Sequence, residues 1–309
     1  MTPVRLDRRR FLLRLARLGF VMAGPATGAL PLFRVPEAAA APTPRPLADA
    51  KGKDPAALVR QAVGKLGGMA RFVRPGQTVV VKPNLGWDRR PEEGANTHPA
   101  VLAEVCRLAL EAGARTVRVF DRTCNDARRT YERSGARAAV EGLGTDRVRL
   151  EYVDEDRFEV VALQNATKLT RWPLYRPALE ADVLINVPVV KHHGLTGLTA
   201  SMKNLMGVMG GNRGRIHQGV EDNLVDANFA VRSHLVVVDA TRILLRNGPQ
   251  GGGTEGVRIA DRLAATTDVV AADAWAAREF GVDPLSIATI RRGAERGLGV
   301  ADLSRVPIL

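Results

Sequence analysis

Short apolar runs alternate with helical apolar periodicity along most of the chain. QTVVVKP (77–83) reads as a buried strand, and Pro99 to Ala112 as a helix, with proline near its first turn and Gly113 at its end. TVRVFD (116–121) is the next strand, and a helix near 130–141 follows it. VRLEYVD (147–153), FEVVAL (158–163), ADVLINVPVV (181–190) and HLVVVDA (234–240) read as further strands, with helices near 199–208, 221–232, 270–280 and 285–296. Strands alternating with helices predict an α/β fold, a mostly parallel sheet with helices on both faces, in one domain or two lobes. Asp54-Pro55 caps a helix to about Gly67, so the α/β domain is expected to span 54–309, behind a proline-rich and then polar linker, APTPRPLADAKGK (41–53).

Sheets of this kind bind ligands outside the carboxyl ends of their strands, which directs attention to the residues just past each strand. Those positions are polar: Lys82-Pro83-Asn84, Asp121-Arg122-Thr123, Lys191-His192-His193 and Asp239-Ala240-Thr241. The span 191–217 adds His192, His193, Lys203, Asn204 and His217 within a short distance along the chain. Thr199 or Ser201 can cap a short helix there. A lysine on its first turns, near a positive helix end, has reason to lose its proton and act as a nucleophile or tether. The candidate catalytic residues are therefore His193, Lys203, His192 and Asp121, and the candidate substrate-binding residues are Lys82, Asn84, His98, Asn204 and Arg213. Plainer roles stand beside these: Asp121 and Asp239 as loop caps, Asn96 or Thr97 as the cap of a helix with His98 in its first turn, and Asp268 as another cap. Asp273 is a candidate to face the site, and the segment from Gly207 to Arg215 a glycine-rich cradle for phosphate.

Composition narrows the classes. The 309 residues are 45% apolar and 25% charged, enough for a large core and unlike a disordered chain. Residues 1–40 hold seven arginines against Asp7 and Glu37, a net of +5, so the remainder keeps about +7 of the formal +12. That excess favours a small anionic ligand or an anionic surface. Basic residues scattered among acidic ones, with few aromatics, do not make a nucleic-acid interface. Cys106 reads as a core residue and Cys124 as a loop thiol, either free or its partner, and two cysteines cannot supply the four thiolates of an iron–sulfur cluster in this chain.

Asp7-Arg8-Arg9-Arg10-Phe11-Leu12-Leu13 fits a twin-arginine export signal, with small residues around Ala38 and Ala40 to suit a signal peptidase. The weakly apolar segment Leu18 to Leu32, interrupted by Gly24, Pro25 and Pro31, is too short and broken for a stable membrane span. The expectation is a signal over residues 1–40, the twin-arginine translocase as a partner during export, a periplasmic or otherwise exported location, and no stable span after cleavage.

VVVKPNLG (79–86), NTHPAVL (96–102), ADVLINVPVVKHH (181–193), GLTASMKNLMG (197–207) and TTDVVAADAWAAREFGVDP (266–284) resemble the domain-of-unknown-function 362 family over essentially all of 75–300. Some members of that family carry an additional ferredoxin-like cysteine cluster, which implies an iron–sulfur partner protein as one setting for this chain. The run from His193 through Gly197 to Lys203 is also similar to the nickel-pincer lactate racemase family. That similarity implies His193 as acid/base group, Lys203 as tether of a covalently attached cofactor, and His217, with His193, as candidate ligands to a transition metal. Thr97-His98-Pro99 would stand where that family binds substrate through Thr-Arg-Pro, but the arginine is histidine here, and Asp121-Arg122 stand near the place of a second acid/base histidine. A shared site layout is carried over, and racemase activity is not. Three functions follow as expectations: a metal- or cofactor-dependent enzyme moving a proton or hydride on a small anion, an anion-binding protein, or an accessory to an exported redox system.

Overall fold

The computed structural model describes residues 42–309, so the twin-arginine pattern and its cleavage region lie outside the described residues. The chain runs through β1 (Leu47–Lys51), α1 (Pro55–Lys65), β2 (Thr78–Pro83), α2 (Pro99–Glu111), β3 (Thr116–Val119), α3 (Ala127–Arg133), α4 (Ala136–Glu141) and β4 (Val148–Leu150). It continues through β5 (Phe158–Ala162), β6 (Arg171–Tyr175), α5 (Arg176–Glu180), β7 (Val183–Val187), β8 (Val189–His193), β9 (Gly197–Thr199) and α6 (Ser201–Asn204). The last elements are α7 (Val220–Ala230), β10 (Leu235–Leu244), β11 (Val257–Thr266), α8 (Val269–Phe280) and α9 (Ala288–Glu295).

One sheet in the order β1-β11-β10-β7-β2-β3-β4 organises these elements. The path from β10 to β4 is parallel throughout, while β11 runs antiparallel to both β10 and β1. The expected α/β fold with a mostly parallel sheet is the one observed. Its two faces follow from the period of two along each strand. Val79 and Val81 of β2, Ile185 and Val187 of β7 and Val237 of β10 point to a core shared with α1 and α2. Val80, Leu184, Val236 and Val238 point the other way, to cores completed by α6, α7 and α8, with Trp275 fully buried among them.

Several elements depart from the sequence reading. Residues 47–51 are not linker: β1 pairs with β11 from Leu47↔Thr266 to Lys51↔Arg262, and Leu47 is buried against it. The run 181–190 divides at Pro188, which cannot donate to a ladder, into β7 and β8. Beyond that break β8 reaches His193, pairs with the second half of β10 and forms a hairpin with β9. Strand β10 itself extends to Leu244, so Asp239 lies inside a strand and not past its end. The helix near 130–141 is two helices, and that near 199–208 is α6 followed by a tighter turn over Leu205–Val208.

Candidate functional site

The carboxyl ends of β2, β3 and β8, together with α6 and the turn over Arg213–His217, enclose a cavity of about 390 Å³. Of the residues singled out from the sequence, Asn84, Asp121, His193, Lys203, Asn204, Arg213 and His217 all line it. Lys82 lies directly behind its wall, fully buried. Here Lys82 Nζ pairs with Asp121 Oδ1 at 2.9 Å, and the other carboxylate oxygen accepts the Leu85 amide at 2.7 Å. Gly207 is required beside this pair, since a side chain there would begin 1.8 Å from Asp121 Oδ1.

A hydrogen-bonded chain runs from the cavity floor at Lys82 to its outer wall at Lys191. Asn204 Oδ1 accepts from Lys82 Nζ (3.1 Å) and from Asn84 Nδ2 (3.0 Å). The Asn204 amide nitrogen donates to Lys82 O (3.1 Å) and to Asn186 Oδ1 (2.8 Å), and Asn186 in turn donates to Ser201 O (2.9 Å). Asn84 Oδ1 accepts from Lys191 Nζ at 2.8 Å, and the same ammonium reaches Ala95 O. A buried polar group is tolerated when it is bonded in this way. Lys191 and Asn186 are site residues that sequence reasoning left unassigned. The signal for Lys191 is the alternation of β8, which puts it on the same face as His193.

Nearer the mouth, Lys203 Nζ lies 3.1 Å from His217 Nε2 and 3.2 Å from Met206 Sδ. An ammonium can only donate, so in this contact His217 Nε2 accepts from Lys203. His193 lies parallel to His217, ring centroids 5.7 Å apart, and its Nδ1 accepts the Leu195 amide at 3.2 Å. Arg213 completes the wall with its guanidinium held by Arg122 O (2.6 Å) and Thr123 O (3.0 Å). The thiol of Cys124, free and exposed, stands beside Arg213.

Burial dominates the electrostatics. It lowers Lys191 to about 7, with the Lys203 and Lys82 ammonium groups adding to the shift. Burial lowers Lys203 to about 8, helped by Arg213. His193 falls to about 3 through burial and then the Lys203 charge, so its imidazole is neutral at neutral pH. His217 and Lys82 are lowered by the same desolvation, and in Lys82 the Asp121 carboxylate opposes it.

Two candidates are not brought to the cavity. His98 caps α2 by accepting the Ala100 amide on Nδ1 (3.0 Å) and lines a different cavity. His192 points to the opposite side of β8 from Lys191 and His193, where Nδ1 accepts the Gly248 amide at 3.2 Å. Asp273, a candidate to face the site, instead holds the start of α6 through Ser201 and Met202. Asp268 caps α8 as expected. In the glycine-rich stretch 207–215, Gly210 packs on Phe158 and Gly211 on Pro173, while Gly211, Asn212, Arg213 and Gly214 line a neighbouring cavity beside Arg122 and Glu155.

The donor set decides the fit of a metal. Among the described residues no three His, Cys, Asp or Glu side chains converge on one point. His193 and His217 face each other as stacked rings, with the His217 Nε2 lone pair directed to an amine. Such an arrangement does not fit a metal ion held by protein side chains alone.

The family described as "Domain of unknown function (DUF362)" matches residues 79–278. A relative from Synechocystis sp., "Thylakoid-associated protein sll1697", is 30% identical over 254 residues, 78% of this chain and 75% of that protein. Among solved structures, the lactate racemase apoprotein from Thermoanaerobacterium thermosaccharolyticum aligns with a TM-score of 0.44 at 12% identity, covering 72% of this chain and 54% of that one. A protein from Thermotoga maritima aligns with a TM-score of 0.42 at 12% identity, over 61% of this chain and 51% of that one. The chain thus spans about half the length of these structural neighbours.

Proposed function

The chain belongs to the DUF362 family, and from that premise we propose that its cavity is a proton-transferring enzyme site for a small organic anion. One observation carries this reading. The carboxylate in the cavity, Asp121, is committed to Lys82, while Lys191, Lys203 and Arg213 bring positive charge to the same wall without an acidic partner there. A carboxylate entering the cavity supplies that partner.

Lys203 and His217 are suited to move the proton. The amine titrates near neutrality, and His217 Nε2 lies within hydrogen-bond reach as its acceptor. His193 is a neutral ring whose Nδ1 is occupied, so its proton sits on Nε2 as a donor to the bound anion. Lys191, Asn84 and Arg213 hold the negative charge. A lysine of lowered basicity is also the residue able to carry a covalently attached cofactor, and intact mass of protein from the native host, mapped to Lys203, reads that directly.

Deuterium incorporation tests the enzyme reading. Small 2-hydroxy and 2-oxo acids incubated in D₂O with the protein are expected to exchange a carbon-bound hydrogen with wild type and not with Lys203→Met. Tight binding of such acids with no exchange in either protein makes this an anion-binding protein instead.

We also propose an exported, membrane-proximal location. Support comes from the twin-arginine pattern over residues 7–13 and from a relative named for association with thylakoids. Among the described residues no helix is long and apolar enough to cross a membrane. Cleavage of the chain by protease added to spheroplasts, with a cytoplasmic control left intact, is the expected result.

A further inference from the structure

A second cavity, of about 600 Å³, shares no lining residue with the first. Its polar wall is built by Arg242 of β10 and His98 at the start of α2. Arg242 is 8% exposed, and its Nη1 donates to Pro91 O. Its Nε and Nη2 have no hydrogen-bond partner and are shielded from solvent. The Asp239 and Glu92 carboxylates act on this charge through space, but neither hydrogen-bonds to it. One Asp239 oxygen accepts the His98 amide (2.7 Å), and the other accepts the Thr241 amide (2.9 Å) and hydroxyl (2.7 Å). A buried guanidinium left two donors short is destabilising, and an anion bound beside it would offset that cost.

The rest of the cavity describes that ligand. His98 accepts the Ala100 amide on Nδ1, so its neutral ring carries the proton on Nε2 and can donate. Burial and the Arg242 charge keep His98 below the usual histidine range, which maintains that neutral donor. Pro91, Pro99 and Val257 form an apolar wall, and Ile259, 65% exposed, stands at the rim. Glu92 also lines the cavity but is largely exposed, 3.9 Å from Arg90. Thr254 contributes from the segment that follows Gly251, Gly252 and Gly253, a part of the wall able to adjust to an entering group.

We infer that this cavity is a second binding site, for the carboxylate of a small apolar acid, with Arg242 and His98 taking the head group and Val257 and Ile259 the tail. It is independent of the proton-transfer site.

Hydrogen–deuterium exchange of the full chain, with hexanoate or inorganic phosphate as probe, tests it. Hexanoate is expected to slow exchange in peptides covering 91–99 and 254–259, and phosphate to leave them unchanged. Arg242→Met is expected to weaken that protection by about a hundredfold in hexanoate concentration. Because Arg242 is buried, Ile259→Glu at an exposed position serves as the second variant, expected to weaken it by about tenfold with the fold intact. Three results would each overturn the assignment: protection confined to peptides covering 203–217, equal protection by phosphate, or hexanoate protection that is unchanged in Ile259→Glu.

Discussion

The inner and outer halves of the first cavity treat buried charge in opposite ways. Inside, Lys82 has a carboxylate at 2.9 Å and an asparagine at 3.1 Å, so its ammonium is matched by charge and by hydrogen bonds. Outside, Lys191 and Lys203 have only neutral acceptors, an amide oxygen and a backbone carbonyl for one, an imidazole and a thioether for the other. Matched charge is a structural device, because removing one partner strands the other. Unmatched charge concentrated on one wall is a binding device, because its electrostatic cost falls when an anion arrives. The difference separates lysines that hold the floor from lysines that act on a ligand.

The largest expected effect tests the floor. Lys82→Met leaves Asp121 buried and unpaired, and is expected to lower stability by about 3–5 kcal/mol in denaturant titrations. The double variant Lys82→Met with Asp121→Asn should recover a substantial part of that loss, since no carboxylate is then stranded. No recovery would mean that the pair acts separately and that the contrast between inner and outer lysines is misplaced. Lys203→Met comes next. It is expected to reduce binding of a small carboxylate by about a hundredfold, about 2.7 kcal/mol, with a denaturation midpoint equal to or above that of wild type. A large loss of stability there would put Lys203 with Lys82.

Acidity separates the halves by a smaller margin. Lys191 and Lys203 titrate at about 7 and about 8 in the native chain against 10.5 when unfolded. Between those values the unfolded chain binds more protons, so stability rises with pH; below about pH 7 both states are protonated and the penalty is complete. A gain of about 3–4 kcal/mol between pH 7 and 9 is expected in unfolding free energy, and Lys191→Met should flatten its lower part. Asp273, pushed up to about 6 by burial, and the lowered histidines act below that window. A flat profile in wild type would mean that neither outer amine is desolvated as its surroundings indicate.

Much of this was legible in the chain, for a physical reason. Strands buried on both faces of a parallel sheet read as unbroken apolar runs, so β2, β7 and the start of β10 are visible, as is β3 by its alternation, and with them Asn84, Asp121 and the approach to His193. β11 is not, because Arg258, Asp261 and Arg262 interrupt it where it is partly exposed, and β1 is short and ends in Lys51. Lys191 escaped assignment because its acceptors, Asn84 and Ala95, are brought to it by β2 and the loop after it, far away in sequence. Arg242 gave no signal at all, since its lack of partners is a property of packing and not of any motif.

The histidine pair carries the same lesson at the scale of one residue. Treated as a loop past a strand end, Lys191, His192 and His193 all seem free to converge on a ligand; as β8 they alternate, and His192 must face away. Its imidazole instead accepts the Gly248 amide, on the loop that also brings Pro249 to the cavity. His192→Ala is therefore expected to change carboxylate binding by less than about twofold, and to cost about 1 kcal/mol or less in stability for one partly exposed hydrogen bond. His193→Ala, one residue on, should weaken the same binding by about tenfold, because it removes a neutral donor from the cavity wall. Equal effects from the two substitutions, measured side by side by calorimetric titration, would mean that β8 does not hold this register in solution. The assignment of Lys191 to the outer wall would then fall with it, since both residues depend on the same face of the strand.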